Sequence, residues 1–116
     1  MGDDGAVFVI SVAARLVEMH PNTLRKYERE GFLEPARTEG NLRLYSPADI
    51  TRLRQIKYLV EEHGINLAGI EMALTLSKRA RGLRDDLRAD EDCLAVRKQV
   101  VDQLDEILTI LGADLS

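Results

Sequence analysis

Val12, Ala13, Leu16 and Val17 form an apolar stripe at helical spacing, with Ser11 before them as an N-cap. The pattern predicts a first helix over residues 12–18. His20-Pro21 interrupts it, because a residue before proline is pushed out of the helical region. Proline is well tolerated as the first residue of a new helix, so a second helix is expected from Pro21 to Glu30. Leu24, Tyr27 and Glu28 fall on successive turns, with Leu24 and part of Tyr27 facing the core, and Gly31 is the expected left-handed stop. Two short helices across a tight turn make a helix-turn-helix.

The pattern then changes period. In FLEPARTEGNLRLYS, Pro35 and Glu39-Gly40-Asn41 mark turns, and Leu42-Arg43-Leu44-Tyr45 alternates as a strand does. A two-stranded hairpin, or wing, is expected there. Ser46-Pro47-Ala48-Asp49 combines a capping-box pattern with proline at the first helical position. Ile50, Leu53, Ile56, Leu59 and Val60 then recur at steps of three and four, up to His63-Gly64. Asn66 caps a fourth helix with Leu67, Ile70, Ala73 and Leu74 on its inner face.

After Leu76 the sequence SKRARGLRDDLRADED is nearly all polar, and residues 77–92 are expected to form a connector, partly helical. Leu87, Leu94, Val101, Leu108 and Leu115 then repeat every seven residues, with Leu104 and Leu111 between and Val100 and Ile107 widening the stripe. A seam this short does not stand alone in water. A dimerisation helix over 93–113 is expected, using Leu94, Val100, Val101, Leu104, Ile107, Leu108 and Leu111, with packing on its own domain as the alternative. The organisation expected is a DNA-binding domain over 8–76, the connector, and this helix.

Composition narrows the class. The chain has 116 residues, 45% hydrophobic and 31% charged, which suits one folded domain. No apolar run approaches a membrane span, and the acidic start MGDDGAVFVI is unlike a signal peptide, so a cytoplasmic location is expected. The lone Cys93 excludes an internal disulfide and a multi-thiolate metal site, and reads as a small buried hydrophobe. The net charge of −4 is unevenly spread. Residues 11–58 carry nine Lys/Arg against six Asp/Glu, while residues 61–116 carry seven against twelve. Such asymmetry points the first half towards a polyanion. No nucleophile–base set, carboxylate pair or phosphate loop is visible, so neither an enzyme nor a cofactor is expected.

The second helix carries the groups that double-stranded DNA requires. Asn22 and Thr23 sit on its first turn, Arg25, Lys26 and Arg29 can donate to base edges or phosphates, and Tyr27 can stack. The wing adds Arg37, Asn41, Arg43 and Tyr45; on a strand, 41, 43 and 45 share one face. Arg52, Arg54 and Lys57 would extend the footprint. His20 and His63 read as helix-end groups, not metal ligands.

The blocks TLRKYEREGFLEP, RTEGNLRLYS and INLAGI, taken together, resemble the winged-helix DNA-binding domain of the MerR family over residues 8 to about 76. The opening ISVAARLVEMHPNTLR is similar to the family's heat-shock repressors, while RTEGNLRLYS and GINLAGI are also similar to its nitrogen regulators. The resemblance implies a mainly α winged helix-turn-helix, with C-terminal helices pairing as an antiparallel coiled coil in a homodimer. It implies a repressor that places helix two in the major groove at each half of an inverted-repeat operator. The family's DNA-facing places fall on Asn22, Thr23, Arg25, Lys26, Tyr27, Arg37, Asn41, Arg43 and Tyr45. Lys26 stands where many members have a second tyrosine, and lysine favours a phosphate. It further implies the DnaK chaperone as co-repressor, with the apolar tail LTILGADLS as a candidate handle. A nitrogen-type or other ligand-responsive regulator of the same family stays open, as does a DNA-bending architectural or excisionase-like protein.

Overall fold

The computed structural model describes residues 7–89 and 94–113, in two compact units whose boundary in the chain falls within one helix, between Arg54 and Gln55. The first unit begins with a short strand, β1 (Phe8–Val9), which leads directly into α1 (Ile10–Val17). Val9 is extended and caps α1 without a side-chain bond, so Ser11 lies inside the helix instead of capping it. The cause is β1 itself, which pairs with the wing and fixes Val9 in extended geometry, so that the helix begins at Ile10, two residues before the expected Val12.

Glu18, in left-handed geometry at φ +58°, closes α1. His20 is extended, as a residue before proline must be, and launches α2 (Pro21–Arg29). Gly31 at φ +85° ends it: its N–H donates to the Glu28 carbonyl, and that of Phe32 to the Tyr27 carbonyl, each at 3.0 Å. The wing follows as β2 (Ala36–Arg37) and β3 (Arg43–Tyr45). The sheet has three strands in the order β1-β3-β2, all antiparallel, with Phe8 opposite Tyr45 and Arg37 opposite Arg43. A two-stranded wing was expected; the third strand contributes only two residues, too few for an alternation to be visible.

The capping box at the start of α3 (Pro47–His63) is reciprocal. The Ser46 N–H donates to Asp49 Oδ2 at 3.0 Å, and the Asp49 N–H donates to Ser46 Oγ at 3.1 Å. Ala13, Val17, Leu24, Phe32, Leu33, Tyr45, Ile50 and Leu53 form the buried core of this first unit.

The second unit holds the rest of α3, then α4 (Leu67–Ala89) and α5 (Leu94–Ile110). Asn66 caps α4 by accepting from the Gly69 N–H at 2.9 Å. The expected connector is helical as far as Ala89. Its polar sequence is rich in good helix formers, and Arg84 gives the stretch a packed face, with a side chain only 13% exposed. The helices α4 and α5 run antiparallel. Gln55 Nε2 donates to Ser77 Oγ (2.9 Å) and to the Leu111 carbonyl (3.0 Å) at one end. Further along, Arg84 and Arg88 both reach Asp105, at 3.0 and 3.2 Å. Gly112, at φ +74°, turns the chain against Tyr58; a Cβ there would lie 2.4 Å from the ring.

This packing divides the seven residues expected in the dimer seam. Val101 and Leu108 are buried within their own unit, Leu104 and Leu111 are half-buried, and Leu94, Val100 and Ile107 are exposed. Val100 and Ile107 continue through Val96 and Ile110 as an outward apolar stripe on α5. Cys93 and Leu115 lie outside the described residues. No described helix is long and apolar enough to cross a membrane.

Candidate nucleic-acid interface

The exposed face of α2 follows from its first turn. The imidazole Nδ1 of His20 accepts from the Asn22 N–H at 3.0 Å, while the His20 carbonyl accepts from the Thr23 N–H at 2.9 Å. The ring therefore acts as the N-cap, in a tautomer with Nδ1 unprotonated. Asn22 is exposed, and its Oδ1 accepts from Arg25 Nη1 at 2.7 Å, which aligns amide and guanidinium along the outer face. Thr23 and Arg25 are half-buried; Lys26 and Arg29 are exposed, with no ion-pair partner among the described residues. Leu24 is fully buried, so the division between an inward leucine and an outward Arg25 is present.

Tyr27 lies on the inner face of α2, as its spacing suggested, and not where it could stack on a base. It is 7% exposed and its ring lies 5.9 Å from that of Phe32, inside the core. Tyr45 departs further from expectation. It was expected on the exposed edge of the wing beside Arg43, and it is fully buried. The two do share a face of β3, but that face turns towards α2, and pairing of Tyr45 with Phe8 closes the sheet over it. The outward positions are the apolar ones, Leu42 (49% exposed) and half-buried Leu44. The Tyr45 hydroxyl has no hydrogen-bond partner among the described residues. Burial, and then the nearby Glu28 carboxylate, hold its pKa above the usual phenol range.

The inward face of β3 places Arg43 against α2, where Glu28 receives two guanidinium groups. Its Oε1 accepts from Arg43 Nε, and its Oε2 accepts from Arg37 Nη2 at 2.7 Å. Arg37 reaches on to the turn, donating from Nη1 to the Asn41 carbonyl (3.2 Å) and Oδ1 (3.4 Å). Asn41 is left-handed at φ +66°, an orientation asparagine tolerates, and Thr38 closes the turn around it. Thr38 accepts from the Asn41 N–H on its carbonyl and from the Leu42 N–H on its hydroxyl. Burial raises the pKa of Glu28, but hydrogen bonds and charge from Arg43 and Arg37 outweigh it, and the net shift is downward. Arg52 donates to the Phe32 carbonyl at 3.3 Å, so part of its capacity holds the loop after α2.

The arrangement brings Asn22, Thr23, Arg25, Lys26 and Arg29 onto one helix, and Arg37, Asn41 and Arg43 onto the adjoining wing, while withdrawing Tyr27 and Tyr45 into the core. Glu28 is the residue that reading the sequence passed over. Arg37 and Arg43 stand opposite each other in the hairpin and need a counter-charge, and Glu28 is the one acid within α2.

Residues 8–76 match the family described as MerR HTH family regulatory protein. The chain belongs to that family. A Streptomyces coelicolor protein named as heat shock protein HspR is 48% identical over 82 residues, covering 71% of this chain and 54% of that protein. The regulator MlrA of Escherichia coli K12 is 38% identical over 71 residues, covering 60% of this chain and 29% of its own length. GlnR of Bacillus anthracis is 35% identical over 72 residues, covering 62% of this chain and 55% of GlnR. The chain thus spans about half the length of HspR and GlnR, and less of MlrA. A crystal structure of a MerR-family transcriptional regulator from Bacillus cereus superposes with a TM-score of 0.56 at 23% identity. It covers 96% of this chain and 87% of that one, which establishes a shared MerR-type fold.

Proposed function

We propose that this MerR-family chain is a sequence-specific repressor that binds an inverted repeat in double-stranded DNA as a homodimer and controls heat-shock or chaperone genes. The observation that carries the DNA reading is the outward face of α2, where Asn22, Arg25, Lys26 and Arg29 lie clear of the core beside a wing bearing Arg37 and Arg43. A helix of this kind suits the major groove, and guanidinium groups beside it suit phosphates. The apolar stripe on α5 supports pairing of two copies, which would set two recognition helices on two half-sites. The heat-shock assignment rests on the 48% identity to HspR. A DnaK co-repressor is the finer part of the same reading.

Selection of bound duplexes from a random library, followed by transcript profiling of a deletion strain, tests this. The expected result is an enriched inverted repeat that also lies upstream of chaperone genes, whose transcripts rise on deletion. Enrichment upstream of nitrogen-assimilation genes would favour the GlnR-type reading. Binding with little sequence preference would favour an architectural protein, since a repressor prefers its operator by roughly 10³-fold or more.

A further inference from the structure

The two wing arginines differ in what their guanidinium groups still have to offer. Arg37 is engaged at both terminal nitrogens: Nη2 on Glu28, and Nη1 on the carbonyl and side chain of Asn41. It spans from α2 to the turn of the wing. Arg43 is engaged only through Nε, on the other oxygen of Glu28. Neither of its Nη groups has a partner among the described residues, and neither is buried. A guanidinium held by Nε presents its two Nη groups together as a fork, the geometry that suits the oxygens of a phosphate.

We propose that Glu28 and Arg37 are positioning residues that hold the wing, so that Arg43 alone delivers its guanidinium to a DNA phosphate. The inference rests on the DNA-binding reading above and refines it.

The wing needs such a support. Its strands are two and three residues long, and although Tyr45 anchors β3 in the core, both residues of β2 are exposed, so the β2 side and the turn have little core of their own. Glu28 supplies one anchor on a rigid helix for both strands, and Arg37 carries that anchor on to Asn41. A wing already ordered in the free protein avoids an ordering cost on binding.

The proposal runs against simple charge counting. Glu28 is an anion beside the wing arginines that the DNA reading sets against a polyanion, so neutralising it should tighten DNA binding if charge alone matters. A positioning role predicts the reverse sign.

The test measures affinity against salt concentration, using the full chain and a duplex selected by the wild-type protein from a random library. Glu28→Gln and Arg37→Ala should each weaken binding roughly 2- to 10-fold, the scale of ordering one or two side chains, with the salt slope unchanged. Their double variant should be little worse than either, because they act through one assembly. Arg43→Ala should weaken binding and lower the slope of log K on log salt by about 0.9, the value of one phosphate contact. Tighter or unchanged binding by Glu28→Gln would overturn the proposal, as would a slope change for Arg37→Ala equal to that of Arg43→Ala. If Glu28→Gln does not fold, as judged by circular dichroism, the slopes of the two arginine variants decide alone. A wild-type protein that enriches no duplex overturns the DNA reading and this refinement with it, an outcome distinct from normal operator binding with altered variant slopes.

Discussion

The two units of the chain solve opposite surface problems. In the first, the outer face is ionic: Lys26 and Arg29 are exposed, and the wing is tied to α2 by charges around Glu28. In the second, exposed apolar residues lie along the helices, with Met72, Leu76 and Leu83 on α4 and Val96, Val100, Ile107 and Ile110 on α5. One unit is suited to meet a polyanion and the other an apolar partner, and a surface of the second kind marks an interaction site. On the function proposed above, recognition would lie in the first unit and assembly in the second, with each open to disruption on its own.

The largest effect expected comes from Leu108, which is fully buried in the second unit. Leu108→Ala should cost about 2–5 kcal/mol in urea unfolding, as for other buried leucines. The same measurement on exposed Ile107→Ser should show a change within about 0.5 kcal/mol in the unfolding of a single chain. Next is the polar clamp of the second unit. Gln55→Ala leaves the Leu111 carbonyl and Ser77 without their donor and should cost about 1–3 kcal/mol. In the first unit, Ser46→Ala removes one half of the capping box and should cost about 1 kcal/mol by thermal unfolding.

The smallest effect is acid sensitivity of the wing. The folded pKa of Glu28 lies below its ordinary 4.5, so this group adds stability above that pH and loses it as pH falls through the folded value. The carboxylate is partly solvated, so the contribution is small. Unfolding followed from pH 6 to pH 3 should show a shallower acid limb for Glu28→Gln than for wild type, by about the share of one carboxylate.

Much of this was legible in the sequence, and the exceptions share a cause. His20-Pro21, Gly31, the Ser46–Asp49 box and Asn66 are local signals, and each appears in the structure where local chemistry places it. What depended on tertiary pairing was hidden. Two residues of β1 carry no periodicity, yet they pair with β3 and, with α2, turn Tyr45 inward. Polar residues 77–89 read as a connector because their helix is mostly solvated, and its packed side is partly an arginine, Arg84. Glu28 looked like one charge among several until strand register set Arg37 and Arg43 beside it. Of the heptad residues, period alone could not say which pack on α4 and which stay open.

The division of labour between the units is tested most directly with Ile107→Asp, a charge on the outward stripe of α5, in an element that holds no residue assigned to DNA. Binding of the wild-type and variant chains is compared on a duplex carrying the full selected repeat and on one carrying a single half-site, with the mass of each complex measured by sedimentation. The account predicts two wild-type chains on the full repeat, and for the variant a loss of roughly 10²-fold or more there, with half-site affinity unchanged. Equal affinity of both proteins for the full repeat, or an equal loss on the half-site, would contradict it.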